Sequence, residues 1–308
     1  MNRDSIDWWG PMAAVVTPFA KDGAIDAEAL GENIERILDS GATGILAGGC
    51  TGEFWALSAD ERCELFRLSA EFANGRGIVI AGTGAVTAAE TIYLSNAAKE
   101  AGCDAALILP PYFIRLSDDE IFAHYREIDA AVSLPIVLYN IPGNAINAIT
   151  PELAARLANL ENVVAIKESS GDWNNFYATL LAVKDQLRVF CGPSSIFGVP
   201  AVAAGADGFV DCFPNVWLPG ALDMFHAAKA GQLDQANELQ ETGRRLTELF
   251  TSDGRSLYPA TKSAMAYLGY AAGDPRLPLL ALEGAALDGL HAGLIELNIT
   301  KIGGTIHG

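Results

Sequence analysis

The stretch PIVLYNIPGNAINAITPELAARLANLENVVAIKESSGDWNNF, residues 135–176, holds two copies of one unit. A short β-rich apolar run, PIVLYN (135–140), leads into a segment of helical period that starts near Thr150. A second run, VVAIKE (163–168), leads into another that starts near Asp172. The unit recurs in both directions along the chain. Upstream lie MAAVVTP (12–18), TGILAG (43–48), GIVIAG (77–82) and DAALIL (104–109), with helix starts near Ala27, Ser58, Thr87 and Ser117. Downstream lie LRVFCG (187–192) and DGFVDC (207–212), with helix starts near Ser194 and Val216. Several starts carry an N-capping residue, and Ser58 precedes Glu61 by three residues, the spacing of a capping box. Eight strand-then-helix units is the count of a closed parallel barrel, so we expect a (β/α)8 TIM barrel over residues 1–230. A doubly wound open sheet is the alternative that the pattern alone leaves open.

Three phrases, SGATG (40–44), AGCDA (101–105) and AGADG (204–208), place a glycine where a helix must stop in a left-handed turn before the next strand. Beyond residue 230 the pattern becomes helical only, with segments at 233–249, 261–269 and 280–298. No Pro-, Gly- or Ser-rich linker intervenes, so residues 231–308 are expected as a C-terminal helical extension packed on the barrel.

The chain has 308 residues, half of them apolar, enough for a sizeable core. Lys and Arg number 20 against 38 Asp and Glu, a net charge of −18. That field repels polyanions and excludes nucleic acid and anionic membrane as expected partners. It would also repel a carboxylate substrate, so a site for one needs local hydrogen-bond donors. Five cysteines without paired spacing, and no apolar signal core in MNRDSIDWWG, predict reduced thiols in the cytoplasm. No run approaches the ~18–20 apolar residues of a membrane span.

A barrel of this kind carries its chemistry at the C-terminal ends of its strands. The sixth run ends on Lys167, where burial would lower the amine's pKa toward the neutral nucleophile; a salt bridge with Glu168 is the equal alternative. The fifth ends near Tyr139, a candidate proton shuttle or a packing tyrosine. The second runs into GGCTGE (48–53), where Gly48, Gly49 and Gly52 let backbone N–H groups approach an anion and Thr51 adds a hydroxyl. No Lys-Ser or Lys-Thr follows, so a nucleotide phosphate is not expected. Asp211, at the end of the eighth run, fits a substrate contact or a helix cap. GTGAVT (82–87) lacks the third glycine of a dinucleotide fingerprint and reads as a turn. His124, His226, His291 and His307 lack ligand spacing, so no metal is predicted. Trp8 and Trp9 are expected to cover the barrel floor or an interface.

The motifs GGCTGE, YNIPG (139–143) and AIKESSGD (165–172), one per strand end, resemble the dihydrodipicolinate synthase and N-acetylneuraminate lyase family of class I aldolases. The likeness runs from VVTPF (15–19) through CGPSS (191–195) to LPLLAL (277–282) and HAGL (291–294). It implies a barrel with a C-terminal helical region, no metal or organic cofactor, and a homo-oligomer, tetramer or dimer. It also implies Lys167 as Schiff-base former, Tyr139 as proton shuttle, and Thr51 with the N–H groups of Cys50 and Thr51 as receptor for the carboxylate of a 2-oxo acid. Gly49, Gly192, Asn144, Ser194 and Asp211 complete the candidate substrate contacts.

The departures narrow the reaction. Family members that make dihydrodipicolinate carry a second Tyr where Phe113 stands, and an Arg two residues beyond the YNxP proline, where Asn144 stands. Both changes argue against lysine biosynthesis. Neuraminate lyases carry an acidic pair where Ser194 and Ser195 stand, which argues against sialic acid. Cys50 replaces a hydroxyl residue. The expected function is therefore a lyase on a small 2-oxo acid, cleaving it to pyruvate and an aldehyde. Elimination of water or ammonia through the same imine is the alternative, and a non-catalytic 2-oxo acid sensor is a third reading.

Overall fold

Strands of four to six residues satisfy the backbone groups of both edges only by pairing with neighbours on each side, and the eight apolar runs meet that need by closing on themselves. The structure, a computed structural model, describes residues 1–300. Its strands are β1 (Gly10–Ala14), β2 (Gly44–Ala47), β3 (Ile78–Gly82), β4 (Ala105–Ile108), β5 (Ile136–Asn140), β6 (Val163–Glu168), β7 (Arg188–Cys191) and β8 (Gly208–Asp211). They form a closed parallel barrel in sequence order, with β8 against β1. The open-sheet alternative is thereby excluded. Closure is tight at the seam: a Cβ on Gly208 would stand 2.0 Å from the Gly10 carbonyl oxygen, so only glycine fits there.

Helices α1 (Ala27–Asp39), α2 (Ala59–Ala73), α3 (Ala88–Glu100), α4 (Asp118–Ala131), α5 (Pro142–Ala145), α6 (Pro151–Leu157), α7 (Trp173–Val183), α8 (Ser194–Ala204) and α9 (Leu218–Lys229) alternate with the strands. Ser58, Thr87, Ser117, Thr150 and Asp172 are all N-caps whose side chains accept backbone N–H bonds, and Ser58 and Glu61 form the capping box. The three recurrent turn glycines, Gly41, Gly102 and Gly205, have φ of 101°, 88° and 113°. Two boundaries differ from expectation. β1 begins at Gly10 and ends before Val15, whose N–H still bonds the Leu46 carbonyl; Val16–Pro18 have left the sheet, with Val16 packed into the C-terminal cluster and Thr17 Oγ1 donating to the Gly52 carbonyl. The last barrel helix starts at Leu218 rather than near Val216, after a 3-10 turn at Phe213–Asn215.

Alternation along the strands separates two cores. In β5, Val137 and Tyr139 point into the barrel, while Ile136 and Leu138 face the helices. Trp8 packs against the interior cluster, as expected of a floor residue, while Trp9 is about half exposed beside Phe225. A third core joins Val16, Cys212 and Phe213 to helices α10 (Leu233–Thr251), α11 (Leu257–Tyr267) and α12 (Gly284–Glu296). α10 packs along α8 and α9. The expected segments at 261–269 and 280–298 thus begin at Leu257 and Gly284; Pro259 lies in the first turn of α11, where a missing N–H costs no helical bond. The last eight residues of the predicted 231–308 region, with His307, lie outside the described residues.

The C-terminal region is tied to the β2 loop by buried charge. Lys262 Nζ lies 2.6 Å from Glu53 Oε1, with side chains 2% and 0% exposed. Glu53 Oε2 accepts the Arg276 N–H at 2.9 Å, and the Arg276 guanidinium bridges both oxygens of Glu61. Glu53 holds φ at +54°, an uncommon conformation for a side chain of its size, fixed by these contacts. Lys262→Met should leave the Glu53 carboxylate buried and unpaired and lower stability by about 3–5 kcal/mol, whereas Glu53→Gln with Lys262→Met should recover most of the loss. Urea unfolding followed by circular dichroism measures both; a single-variant cost below about 1 kcal/mol would mean that the pair does not anchor the loop.

Candidate active site

The mouth of the barrel is built first by the pairing of β5 with β6. Their register slips by one residue between Ile136 and Val137, so that Ile136 pairs with Val163 but Val137 with Ala165. A slip of one exchanges the two faces of a strand. Beyond it Tyr139 pairs with Lys167 and both point inward, while Asn140 and Glu168 turn outward. Glu168 Oε1 accepts from Asn140 Nδ2 at 2.9 Å, the Ser170 N–H at 3.0 Å and Asn175 Nδ2 at 3.1 Å. It is therefore not the salt-bridge partner of Lys167, and that alternative fails for a geometric reason.

Lys167 is 5% exposed. Burial pushes its amine below the usual lysine range, opposed by Cys50 and then by Asp211. Its Nζ lies 4.6 Å from the centre of the Tyr139 ring. Burial also holds the Tyr139 phenol well above its ordinary value, and its hydroxyl donates to Cys50 Sγ at 3.7 Å. The Cys50 thiol is pushed up by burial as well. At neutral pH the group beside the amine is therefore a protonated phenol on a protonated thiol.

These side chains open into a cavity of about 630 Å³. Cys50, Thr51, Tyr139, Lys167, Gly192 and Asp211 all line it. The Thr51 N–H donates to no acceptor among the described residues and stays available to a ligand. Gly192 is required by its neighbour: a Cβ there would stand 1.7 Å from Ser169 Oγ. Asp211 lines the cavity, yet its carboxylate is already engaged by Ser194 Oγ at 2.6 Å, the Ser195 N–H at 3.1 Å and the Cys212 N–H at 2.6 Å. Two of these bonds hold the start of α8, the helix before it, and the third holds the Cys212 N–H at the head of the turn that follows.

Three candidate contacts sit elsewhere. The Ser194 hydroxyl is consumed by Asp211, and the neighbouring Ser195 lines the cavity in its place. Gly49 backs Cys50 and lines a smaller hollow with Phe54 and the buried Arg62. Asn144, on the short α5, is exposed at the rim and its amide faces the Tyr258 hydroxyl. Phe113 is 88% exposed and does not line the cavity. Among the described residues no group of three or more His, Cys, Asp or Glu could hold a metal ion, and no helix is long and apolar enough to cross a membrane.

The structure adds residues that the strand-end reading missed. Ser169, two residues beyond Lys167, lines the cavity beside Tyr139; the same parity that turns Lys167 inward could have flagged it. Thr247 and Thr251 of α10 and Leu257 and Tyr258 of α11 form the far wall. Nothing in the barrel pattern points to them, because they come from helices outside the eightfold repeat.

The description "Dihydrodipicolinate synthetase family" fits residues 8–296. A 4-hydroxy-tetrahydrodipicolinate synthase of Hyphomonas neptunium is 36% identical, across 90% of this chain and 94% of its own. One of Geobacter sulfurreducens is 35% identical, across 89% and 93%. The crystal structure of the chloride-inhibited dihydrodipicolinate synthase of Acinetobacter baumannii, complexed with pyruvate, superposes with a TM-score of 0.89 at 32% identity, covering 94% of this chain and 99% of that one. Agreement in sequence, fold and length makes this chain an enzyme of the class I aldolase type, a lyase, and it belongs to the dihydrodipicolinate synthetase family.

Proposed function

We propose that this lyase binds a small 2-oxo acid as a Schiff base on Lys167 and carries out aldol cleavage or condensation with pyruvate as the ketone component. The observation that carries the reading is the buried Lys167 amine, held below its ordinary pKa and set over the Tyr139 ring in the cavity at the barrel mouth. The pyruvate bound by the Acinetobacter relative supports the same class of ligand.

In this reading the Thr51 hydroxyl and N–H take the carboxylate, supplying local donors against the field of a chain with net charge −18. The neutral amine adds to C2, and the carbinolamine loses water as Tyr139 donates its proton to the departing hydroxyl. The cationic imine then draws electrons from C3. For cleavage, the C3–C4 bond breaks toward the imine as the C4 hydroxyl proton passes to the Tyr139 oxygen, releasing an aldehyde. The enamine is protonated at C3, and water hydrolyses the imine to free pyruvate and Lys167.

The synthase reaction named for the relatives gains one specific support. Tyr258 places a second phenol in the cavity, so the loss of a tyrosine at Phe113 no longer leaves the site with one. Asn144, a neutral amide where an Arg would meet a second carboxylate, still favours a different acceptor aldehyde. We read the protein as cytoplasmic on the strength of five free cysteines, and as a homo-oligomer on the strength of its family resemblance.

Borohydride reduction with pyruvate or 2-oxobutyrate should attach the acid to Lys167, as peptide mapping reports, and Lys167→Ala should show no adduct. Attachment elsewhere, or none with either acid, would overturn the mechanism. Tyr139→Phe should still trap pyruvate at saturation but form the imine about 10²–10⁴-fold more slowly. Rapid-quench trapping reads that rate, and a value near wild type would remove Tyr139 from the chemistry.

A further inference from the structure

Resting on the Schiff-base reading, we infer that Asn140 and Glu168 form an outward-facing clamp behind Tyr139 and Lys167, a pair of positioning residues that sets how those two groups meet in the cavity. Asn140 pairs with Glu168 one step beyond the Tyr139–Lys167 pair, and each is the last residue of its strand. Both side chains are fully buried. Asn140 Nδ2 donates to Glu168 Oε1 at 2.9 Å, so a side-chain bond reinforces the pairing where the strands give way to loops. The side chains that do the chemistry point inward from the residues just before this lock.

Each clamp residue is held from several sides. Glu168 Oε1 also accepts the Ser170 N–H at 3.0 Å and Asn175 Nδ2 at 3.1 Å, which ties it to the loop after β6 and to α7. The Glu168 carbonyl accepts the Gly192 N–H at 2.9 Å, and the Asn140 carbonyl accepts the Ser169 N–H at 2.7 Å. Asn140 Oδ1 accepts the Ile149 N–H at 2.9 Å, so its amide cannot flip without setting donor against donor. Ser169 and Gly192 line the cavity with Tyr139 and Lys167. All of these cavity residues are thus bonded, or adjacent in the chain, to one of the two clamp residues.

A strand end without such a lock frays, and a displacement of about 1 Å costs an oriented reaction on the order of 10²-fold. The clamp works through one oxygen. Among the described residues Glu168 Oε2 has no hydrogen-bond partner, while Oε1 takes all three side-chain and loop donors. Burial pushes the Glu168 carboxyl above its ordinary range, opposed by the bonds from Ser170, Asn140 and Asn175. A neutral amide that keeps Oε1 therefore preserves the clamp. The strand-end reading weighed Glu168 as an ion-pair partner of Lys167; facing the other way, it holds the strand from which Lys167 acts.

The test follows imine formation with pyruvate by rapid-quench borohydride trapping, and requires no knowledge of the second substrate. Glu168→Ala should slow the maximal rate at least about tenfold, while the half-saturating pyruvate concentration changes by less than about threefold, because the Thr51 loop lies outside the clamp. Asn140→Ala should act in the same direction, and the double variant should lose little more than the slower single one. Glu168→Gln keeps the accepting oxygen and should recover at least about fivefold of the Glu168→Ala loss. Its new amide N–H groups meet no acceptor where Oε2 stood, so its urea midpoint should fall below that of wild type. A faster but less stable Gln variant separates positioning from mere stability, under which rate would follow the urea midpoint. A Glu168→Ala rate within about twofold of wild type, a Gln variant as slow as Ala, or losses that multiply in the double variant would overturn the clamp. Should Glu168→Ala fail to fold, a slow Asn140→Ala beside a faster Glu168→Gln supports it, and the reverse order overturns it. If wild type itself traps no 2-oxo acid, the Schiff-base reading falls and the clamp with it, a result distinct from slow variants of a reactive wild type.

Discussion

Desolvation of one amine organises this molecule. A lysine at the end of a fully buried strand, facing the interior of a closed barrel, has little water to stabilise its charge and no ion pair from its outward-turned neighbour Glu168. The barrel therefore shifts the Lys167 amine toward its neutral form relative to a lysine in water. Asp211 stands close enough to oppose that effect, but its oxygens are occupied by Ser194, Ser195 and Cys212. The carboxylate is kept where it moderates the amine rather than capturing it.

Geometry supplies what desolvation alone cannot. The one-residue slip between β5 and β6 decides which face of β6 looks inward, and so brings Lys167 and Tyr139 onto adjacent positions of the same surface. The second-strand loop is fixed from the other side, where Lys262 and Arg276 reach from the C-terminal region to Glu53 and Glu61. One connection runs through the barrel wall and one through the C-terminal helices, and the cavity lies between them. The C-terminal region is thus part of the site, contributing Thr247, Thr251, Leu257 and Tyr258 to its wall.

Much of this is legible in sequence because it depends on local periodicity. Eight apolar runs with helical segments between them lead to the barrel, and the caps at Ser58, Thr87, Ser117, Thr150 and Asp172 follow from short-range hydrogen bonding. Lys167, Tyr139 and Thr51 are legible because barrel chemistry collects at strand ends. What sequence conceals is long-range. Ser194 and Ser195 are adjacent identical residues, and only the fold decides that the hydroxyl of one bonds Asp211 while the other residue lines the cavity. Tyr258 sits beside Pro259, which reads as a break before the helix rather than as its first turn. Asn144 looks like a substrate contact by motif position, yet its amide faces the hydroxyl of that same unforeseen tyrosine.

The proposed chemistry depends on the protonation state of Lys167 before substrate arrives. Titration of the substrate-free protein, with lysines labelled at Cε and the Lys167 signal assigned by its loss in Lys167→Arg, measures it by NMR. Because burial disfavours the ammonium, the inflection should fall clearly below the ~10.4 of an ordinary lysine. An inflection at or above that value would show an amine stabilised as a cation, and would contradict the central claim.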